Sequence, residues 1–203
     1  MDEKKLIRNI LSGDLDAFAE LVEAYEKQVY NLCYRMCGNE EDAKDLTQEA
    51  FVKVWRGLEH YQFESAFSTW LYRLTSNVCI DFLRRRKRQN TVSLFVSREE
   101  DGETELDPPD QEPLTEEQLL QRERRQAIER AMGQLEEEFR LVLTLRVIHD
   151  MPYEQIAQIT DVKVGTVKSR LARARSKLKK ILVESGNNFF PEASKKQKGG
   201  ELP

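Results

Sequence analysis

The sequence predicts an all-α protein built as two small helical domains joined by an extended acidic linker. Three observations carry this. Apolar residues recur at steps of three and four through much of residues 14–82 and again from residue 115 onward, the periodicity of amphipathic helices. No segment of the first ninety residues alternates with period two, so a sheet is not expected. Between the two helical stretches the periodicity lapses over residues 93–114, where Pro108, Pro109 and Pro113 stand in an acidic run. That composition favours an extended spacer over a packed element.

The elements follow in order. Phe18, Leu21, Val22, Tyr25, Val29, Leu32 and Met36 form one apolar stripe over residues 14–37, interrupted by Gly38. Asn39 suits the N-cap of the next helix, and Glu40, Glu41 and Asp42 then lie at the positive end of its dipole. That helix turns Ala43, Leu46, Ala50 and Val54 inward and ends near Gly57. After a loop over residues 60–68, Trp70, Leu74, Val78 and Phe82 mark a further helix that runs into Arg84-Arg85-Arg86-Lys87-Arg88. Thr115 followed by Gln118 has capping-box spacing and opens a second domain, with Ile128, Ala131, Met132 and Leu135 as helix signals. One helix is expected over residues 137–149, and Pro152 begins a compact helix pair that ends near Leu182. The expected boundaries are therefore 1–92, a linker over 93–114, and 115–184. The tail, residues 185–203, contains Gly186, Pro191, Gly199 and Gly200 and is expected to be disordered.

The net charge of −4 conceals a segregation of sign. Residues 163–180 hold eight basic residues and no acidic one, residues 84–88 are all basic, and residues 99–117 hold ten acidic residues and no basic one. Two cationic surfaces suited to polyanions thus flank an anionic connector.

Other classes of function are excluded on composition. There is no apolar run of eighteen residues and no basic-then-apolar leader, so neither a membrane span nor a secretory signal is indicated and a cytoplasmic protein is expected. Cys33, Cys37 and Cys79 provide no disulfide framework, and with only His60 and His149 elsewhere they read as buried apolar side chains before metal ligands. A carboxylate metal face from Asp42, Asp45 and Glu49 is set aside because no histidine lies nearby. The sequence has no glycine loop to cradle phosphates and no nucleophile and base pair. No catalytic residue, metal or cofactor is expected.

Residues 153–171 match the spacing of a helix-turn-helix. Ala157 is small where two helices must cross closely, Val167 fills behind it, and Ile156 and Leu171 can join the pair. Asp161 stands at the turn, where glycine is usual, and aspartate tolerates the left-handed conformation better than most residues. The second helix offers Lys168, Ser169, Arg170, Arg173, Arg175 and Lys177 away from its apolar stripe. Such a face can enter the major groove, reading base edges from its first turns and phosphates from later ones.

At this point the sequence resembles the extracytoplasmic-function group of bacterial sigma-70 factors. Asp42-Ala43-Lys44-Asp45-Leu46-Thr47-Gln48-Glu49-Ala50-Phe51, with Trp55, is similar to the segment that docks on the clamp helices of the largest polymerase subunit. Phe67-Ser68-Thr69-Trp70-Leu71-Tyr72-Arg73-Leu74, continuing to Asn77, Asp81 and the basic run, is similar to the segment that engages the −10 element. Tyr153-Glu154-Gln155-Ile156-Ala157 with Val164-Gly165-Thr166-Val167-Lys168-Ser169-Arg170-Leu171 is similar to the −35 reader. The three motifs span residues 10–182, and by this resemblance the additional domains of housekeeping members are not expected.

The resemblance implies an N-terminal sigma domain 2, a C-terminal sigma domain 4, and a set of roles. Polymerase docking falls to Asp42, Asp45, Leu46, Gln48, Glu49, Phe51 and Trp55. The −10 strand falls to Phe63, Ser65, Phe67, Ser68, Arg73, Asn77, Arg84, Arg85, Arg86 and Arg88, with the loop over residues 63–68 holding a flipped base. The −35 duplex falls to Thr166, Lys168, Ser169, Arg170, Arg173, Arg175 and Lys177. Expected partners are core RNA polymerase (clamp helices and flap), promoter DNA and an anti-sigma factor, with no membrane insertion and no obligate homo-oligomer. Residue chemistry agrees: acidic and amide groups beside large apolar anchors suit an arginine-rich partner helix, and aromatic, polar and cationic groups together suit unpaired bases. A conventional helix-turn-helix repressor is the rival reading. It would bind a palindrome as a dimer, where a sigma factor reads two unlike elements as one copy.

Overall fold

The computed structural model describes residues 3–93 and 115–186. Among them there is no strand, and the helices are α1 (Glu3–Leu11), α2 (Leu15–Cys37), α3 (Glu40–Gly57), α4 (Phe67–Ser93), α5 (Glu116–Gly133), α6 (Glu137–Leu143), α7 (Tyr153–Thr160) and α8 (Val164–Glu184). A 3-10 turn, Leu58–His60, follows α3, and a π-helical turn, Thr144–Ile148, follows α6.

Each boundary has a local cause. Asp14 caps α2 by accepting the Ala17 amide at 3.1 Å, and Gly38 ends it at φ 87, where a side chain would be strained. Asn39 caps α3 by accepting the Asp42 amide at 2.8 Å, as its sequence position predicts. Thr115 and Gln118 form the expected capping box at the start of α5. Asp161 closes α7 at φ 51 and ψ 47, so the aspartate does take the left-handed turn of the helix-turn-helix.

Two elements differ from the sequence reading. The first is α1, which that reading left unassigned; its Leu6, Ile7 and Ile10 are buried, and the Tyr25 hydroxyl of α2 donates to Glu3. At nine residues it is too short to form alone and is held by this packing. The second is the helix expected over residues 137–149, which is α-helical only to Leu143 and then widens into the π turn. His149 closes that turn through its amide to the Thr144 carbonyl at 3.2 Å. The expected linker beyond Ser93 and the tail beyond Gly186 lie outside the described residues.

In the N-terminal unit α1 to α4 bury Leu21, Leu32, Met36, Val54, Leu58, Phe67 and Leu71, all at 1% exposure or less. In the C-terminal unit α6 and α7 pack on α8 through Ile156, Ile159, Val167, Leu171 and Ala174, while α5 reaches α8 through Ala127, Ala131 and Leu182. The two units are not apart. One continuous apolar cluster runs through both, with α7 on α4 and the π turn on α2.

Polar contacts among the described residues also cross that junction. Tyr72 Oη lies 2.9 Å from His149 Nδ1, Gln155 Nε2 lies 3.3 Å from Thr69 Oγ1, and Arg35 pairs with Glu129 at 2.7 Å. Arg140 crosses it too: it is buried and donates to the Met36 carbonyl of α2 as well as to Gly133 and Leu135. Its guanidinium thus collects carbonyls left over at the ends of two helices. Burial lowers its pKa, yet no ion pair of Arg140 is found among the described residues.

Candidate polymerase and nucleic-acid interfaces

The first surface is on α3. Asp45, Gln48 and Trp55 are exposed and share one face, together with Val52, which is 47% exposed and which sequence reasoning missed. Counting helical steps of three and four from Asp45 would have found it. Asp42 and Glu49 are half-buried on the flank toward α4. Leu46 and Phe51 are at 2% and 8% exposure and belong to the core, so packing and not contact explains them. Trp55 is held edge-on by Phe18 of α2 at 4.8 Å between ring centroids, which fixes a large apolar anchor at the surface.

The second surface is the loop before α4 and the outer face of α4. Tyr61 is the organising residue: its ring packs tilted at 4.7 Å from Phe63 and 5.2 Å from Trp70 and edge-on at 5.8 Å from Phe67, and its hydroxyl donates to the Ser65 carbonyl at 2.6 Å. Burial raises its pKa. Phe63 has φ 58 and remains 38% exposed at the loop tip, with Ser65 and Ser68 half-buried beside it. Phe67, by contrast, is at 1% exposure and packs edge-on against Tyr25. In this conformation Phe67 supports the loop from beneath and offers no face to a base.

Along α4, Arg73, Asn77, Arg84 and Arg88 are exposed and follow one another at steps of four and seven. The cations at the far end line a cleft of about 1050 Å³ with Lys53, Lys87 and Glu137. Arg85 and Arg86 turn toward α3.

The third surface is α8. Val167, Leu171 and Ala174 face inward, which leaves Lys168, Ser169, Arg173 and Arg175 exposed. Lys168 lies over the Tyr153 ring at 5.7 Å, and the Ser169 hydroxyl donates to the Thr166 carbonyl at 2.9 Å. Thr166, Arg170 and Lys177 are half-buried on the flank toward α6. There Arg170 pairs with Glu138 at 2.6 Å and Lys177 with Glu136, whose carboxyl pKa is lowered chiefly by that contact. Arg170 and Lys177 therefore brace α8 on α6 in this structure.

The three thiols take the places of small apolar residues. Cys33 and Cys79 are buried with sulfurs 3.8 Å apart, and burial pushes the half-buried Cys37 thiol up to about 11. Among the described residues no helix is long and apolar enough to cross a membrane.

The chain resembles known proteins in sequence and in fold. Residues 21–89 match the family described as Sigma-70 region 2, and residues 125–178 match Sigma-70, region 4. Over 179 residues the chain is 34% identical to the ECF RNA polymerase sigma factor SigW of Bacillus subtilis, covering 88% of this chain and 96% of that one. The chain belongs to the extracytoplasmic-function sigma factors. The ECF RNA polymerase sigma-E factor of Escherichia coli K12 is 35% identical, with 86% of this sigma factor and 91% of that one covered.

Two solved structures share the fold. The sigma factor RpoE of Bartonella quintana, in complex with the anti-sigma factor NepR, superposes with a TM-score of 0.61 at 23% identity over 82% of this chain and 96% of its own. CnrH, in complex with the cytosolic domain of CnrY, gives 0.62 at 23% identity over 88% and 96%. The first surface and the second therefore lie in sigma region 2, and the third lies in region 4.

Proposed function

We propose that this sigma factor brings core RNA polymerase to promoters as one copy, with one surface for each task. The outer face of α3, with Asp45, Gln48, Val52 and Trp55 and the flanking Asp42 and Glu49, docks on the polymerase. The loop with Phe63, Ser65 and Ser68 holds an unpaired −10 base against the exposed Phe63 ring, which Tyr61 backs; Asn77 and Arg73 read beside it, and the Arg84 to Arg88 cluster takes the strand phosphates. Lys168, Ser169, Arg173 and Arg175 enter the −35 major groove, and Thr166 meets the backbone at the start of α8. Chemistry stays with the polymerase, and the factor works in the cytoplasm. The domains correspond to residues 1–92 and 115–184. An anti-sigma factor is the expected regulator, which the complex of the Bartonella relative with its own anti-sigma factor supports.

One observation carries the reading: two basic surfaces of unlike design, one beside an aromatic loop and one on a recognition helix, sit on separate helical units. A homodimeric repressor has use for only the second. Element centres about 25 base pairs apart lie roughly 85 Å from each other along the duplex at about 3.4 Å per step. Units in contact cannot span this, so the junction between α4 and α7 opens when the promoter is bound. The test is reconstitution of the purified chain with core polymerase and a promoter carrying both elements. Specific transcription that requires both elements is expected, and failure to associate with polymerase overturns the proposal.

A further inference from the structure

We propose that α3 serves as an internal counterion for the −10 cluster, so that docking on polymerase hands two arginines over to DNA. This rests on the assignment of α3 to polymerase and of the end of α4 to DNA made above. Arg86 Nη1 lies 3.2 Å from Asp42 Oδ2, and Arg85 Nη2 lies 3.7 Å from Glu49 Oε2. The two acids stand seven residues apart, two helical turns, and so meet neighbouring arginines of α4 from one flank of α3.

Both carboxylates already hold cationic or amide partners within the protein. Asp42 Oδ2 also accepts from the Asn39 side chain, and Glu49 Oε1 holds Lys53 at 3.1 Å while Oε2 faces Arg85. A bidentate arginine fork needs both oxygens of a carboxylate, so a partner helix that offers one to these acids competes with Arg85 and Arg86 for Glu49 Oε2 and Asp42 Oδ2. The four side chains are between 30% and 55% exposed, so the pairs are weak and exchange readily. In the free protein the two arginines spend their charge on α3. Once polymerase takes Asp42 and Glu49, the guanidiniums are left facing the strand phosphates, and by linkage DNA on the arginines favours polymerase on the acids to the same degree.

The test measures binding of a fluorescent single-stranded oligonucleotide to the free full-length protein across a salt series. Asp42→Asn/Glu49→Gln is expected to bind about 5-fold tighter at low salt, two exposed pairs each contributing a few-fold. Its salt slope steepens by about 1.4, because two more cations reach phosphates at roughly 0.7 each on a single strand. Glu41→Gln/Asp45→Asn makes the same charge change on the same helix and is expected to give less than half of that gain. An equal gain from both variants shows long-range charge alone and overturns the proposal. Glu49→Gln by itself touches no helix cap and is expected to show part of the effect, should the double variant fold poorly. The underlying assignment reads out separately: holoenzyme with Arg85→Ala/Arg86→Ala that opens promoters as fast as wild type removes the DNA role of α4's end, and the proposal with it.

Discussion

Phe63 holds a left-handed backbone, φ 58, that a bulky side chain adopts at a cost of about 1 to 3 kcal/mol, and its ring leans on Tyr61 at the tip of an exposed loop. Strain kept at such a place marks the loop for a ligand, here an unpaired base. Phe63→Gly relieves the strain, so thermal stability is expected to hold or rise while −10-dependent promoter opening falls several-fold; a parallel fall in both would make Phe63 a packing residue. Arg140 is the opposite case, a buried cation that serves structure. Arg140→Ala strands the Met36, Gly133 and Leu135 carbonyls, and a loss of about 3 kcal/mol in urea unfolding is expected. The sequence placed Phe63 in the −10 loop by resemblance but gave no sign of the role of Arg140, and it did not tell Phe63 from Phe67. Phe63 and Phe67 are both aromatics near a loop, and only the fold separates the one at 38% exposure from the one at 1%. Likewise Arg170 and Lys177 belong to a basic run whose members differ only in which way the helix turns them, toward Glu138 and Glu136 or toward solvent.

At the scale of elements the sequence was most informative where a helix is amphipathic and capped. Gly38, Asn39, Thr115 with Gln118, and Asp161 each set a boundary through a local bond or dihedral that the residue type already implies. Nothing local announces α1, because its short apolar face gains meaning only against α2, or the π turn, which packs on α2 and α7. Asn39→Ala is expected to cost about 1 kcal/mol by leaving the Asp42 amide unsatisfied, read as a lowered urea midpoint. On α8, Arg173 is exposed on the outward face, clear of the bracing flank. Arg173→Ala is expected to cut transcription from promoters that depend on the −35 element by about 10-fold or more, the worth of one good base or phosphate contact. Polymerase affinity should be unchanged in a pull-down, and equal loss of both would argue against the division of tasks between the two units.

The whole molecule is less modular than its sequence. Two helical units separated by an acidic, proline-bearing stretch suggest independent bodies, yet their apolar residues join in one cluster. Helical periodicity reports that a face is buried, not what buries it, which is why the junction was not legible. Its chemistry makes it sensitive to acid. Burial pushes the Tyr72 phenol up to about 12 and the His149 imidazole down, so at neutral pH the phenol donates to an uncharged Nδ1, while His149 Nε2 has no partner among the described residues. A depressed histidine pKa stabilises the packed state above the ordinary value of about 6.5 and forfeits that stability as pH falls below it, because the separated state takes up the proton first. The radius of gyration from solution scattering is therefore expected to grow between about pH 7.5 and pH 5.5, and His149→Gln should flatten that response. The shared interior also bears on how the protein can be dissected. A fragment ending near Ser93 or starting near Thr115 would keep its own helices but bare the greasy patch that the other half normally covers, so halves produced separately should clump, and mixing them should restore solubility.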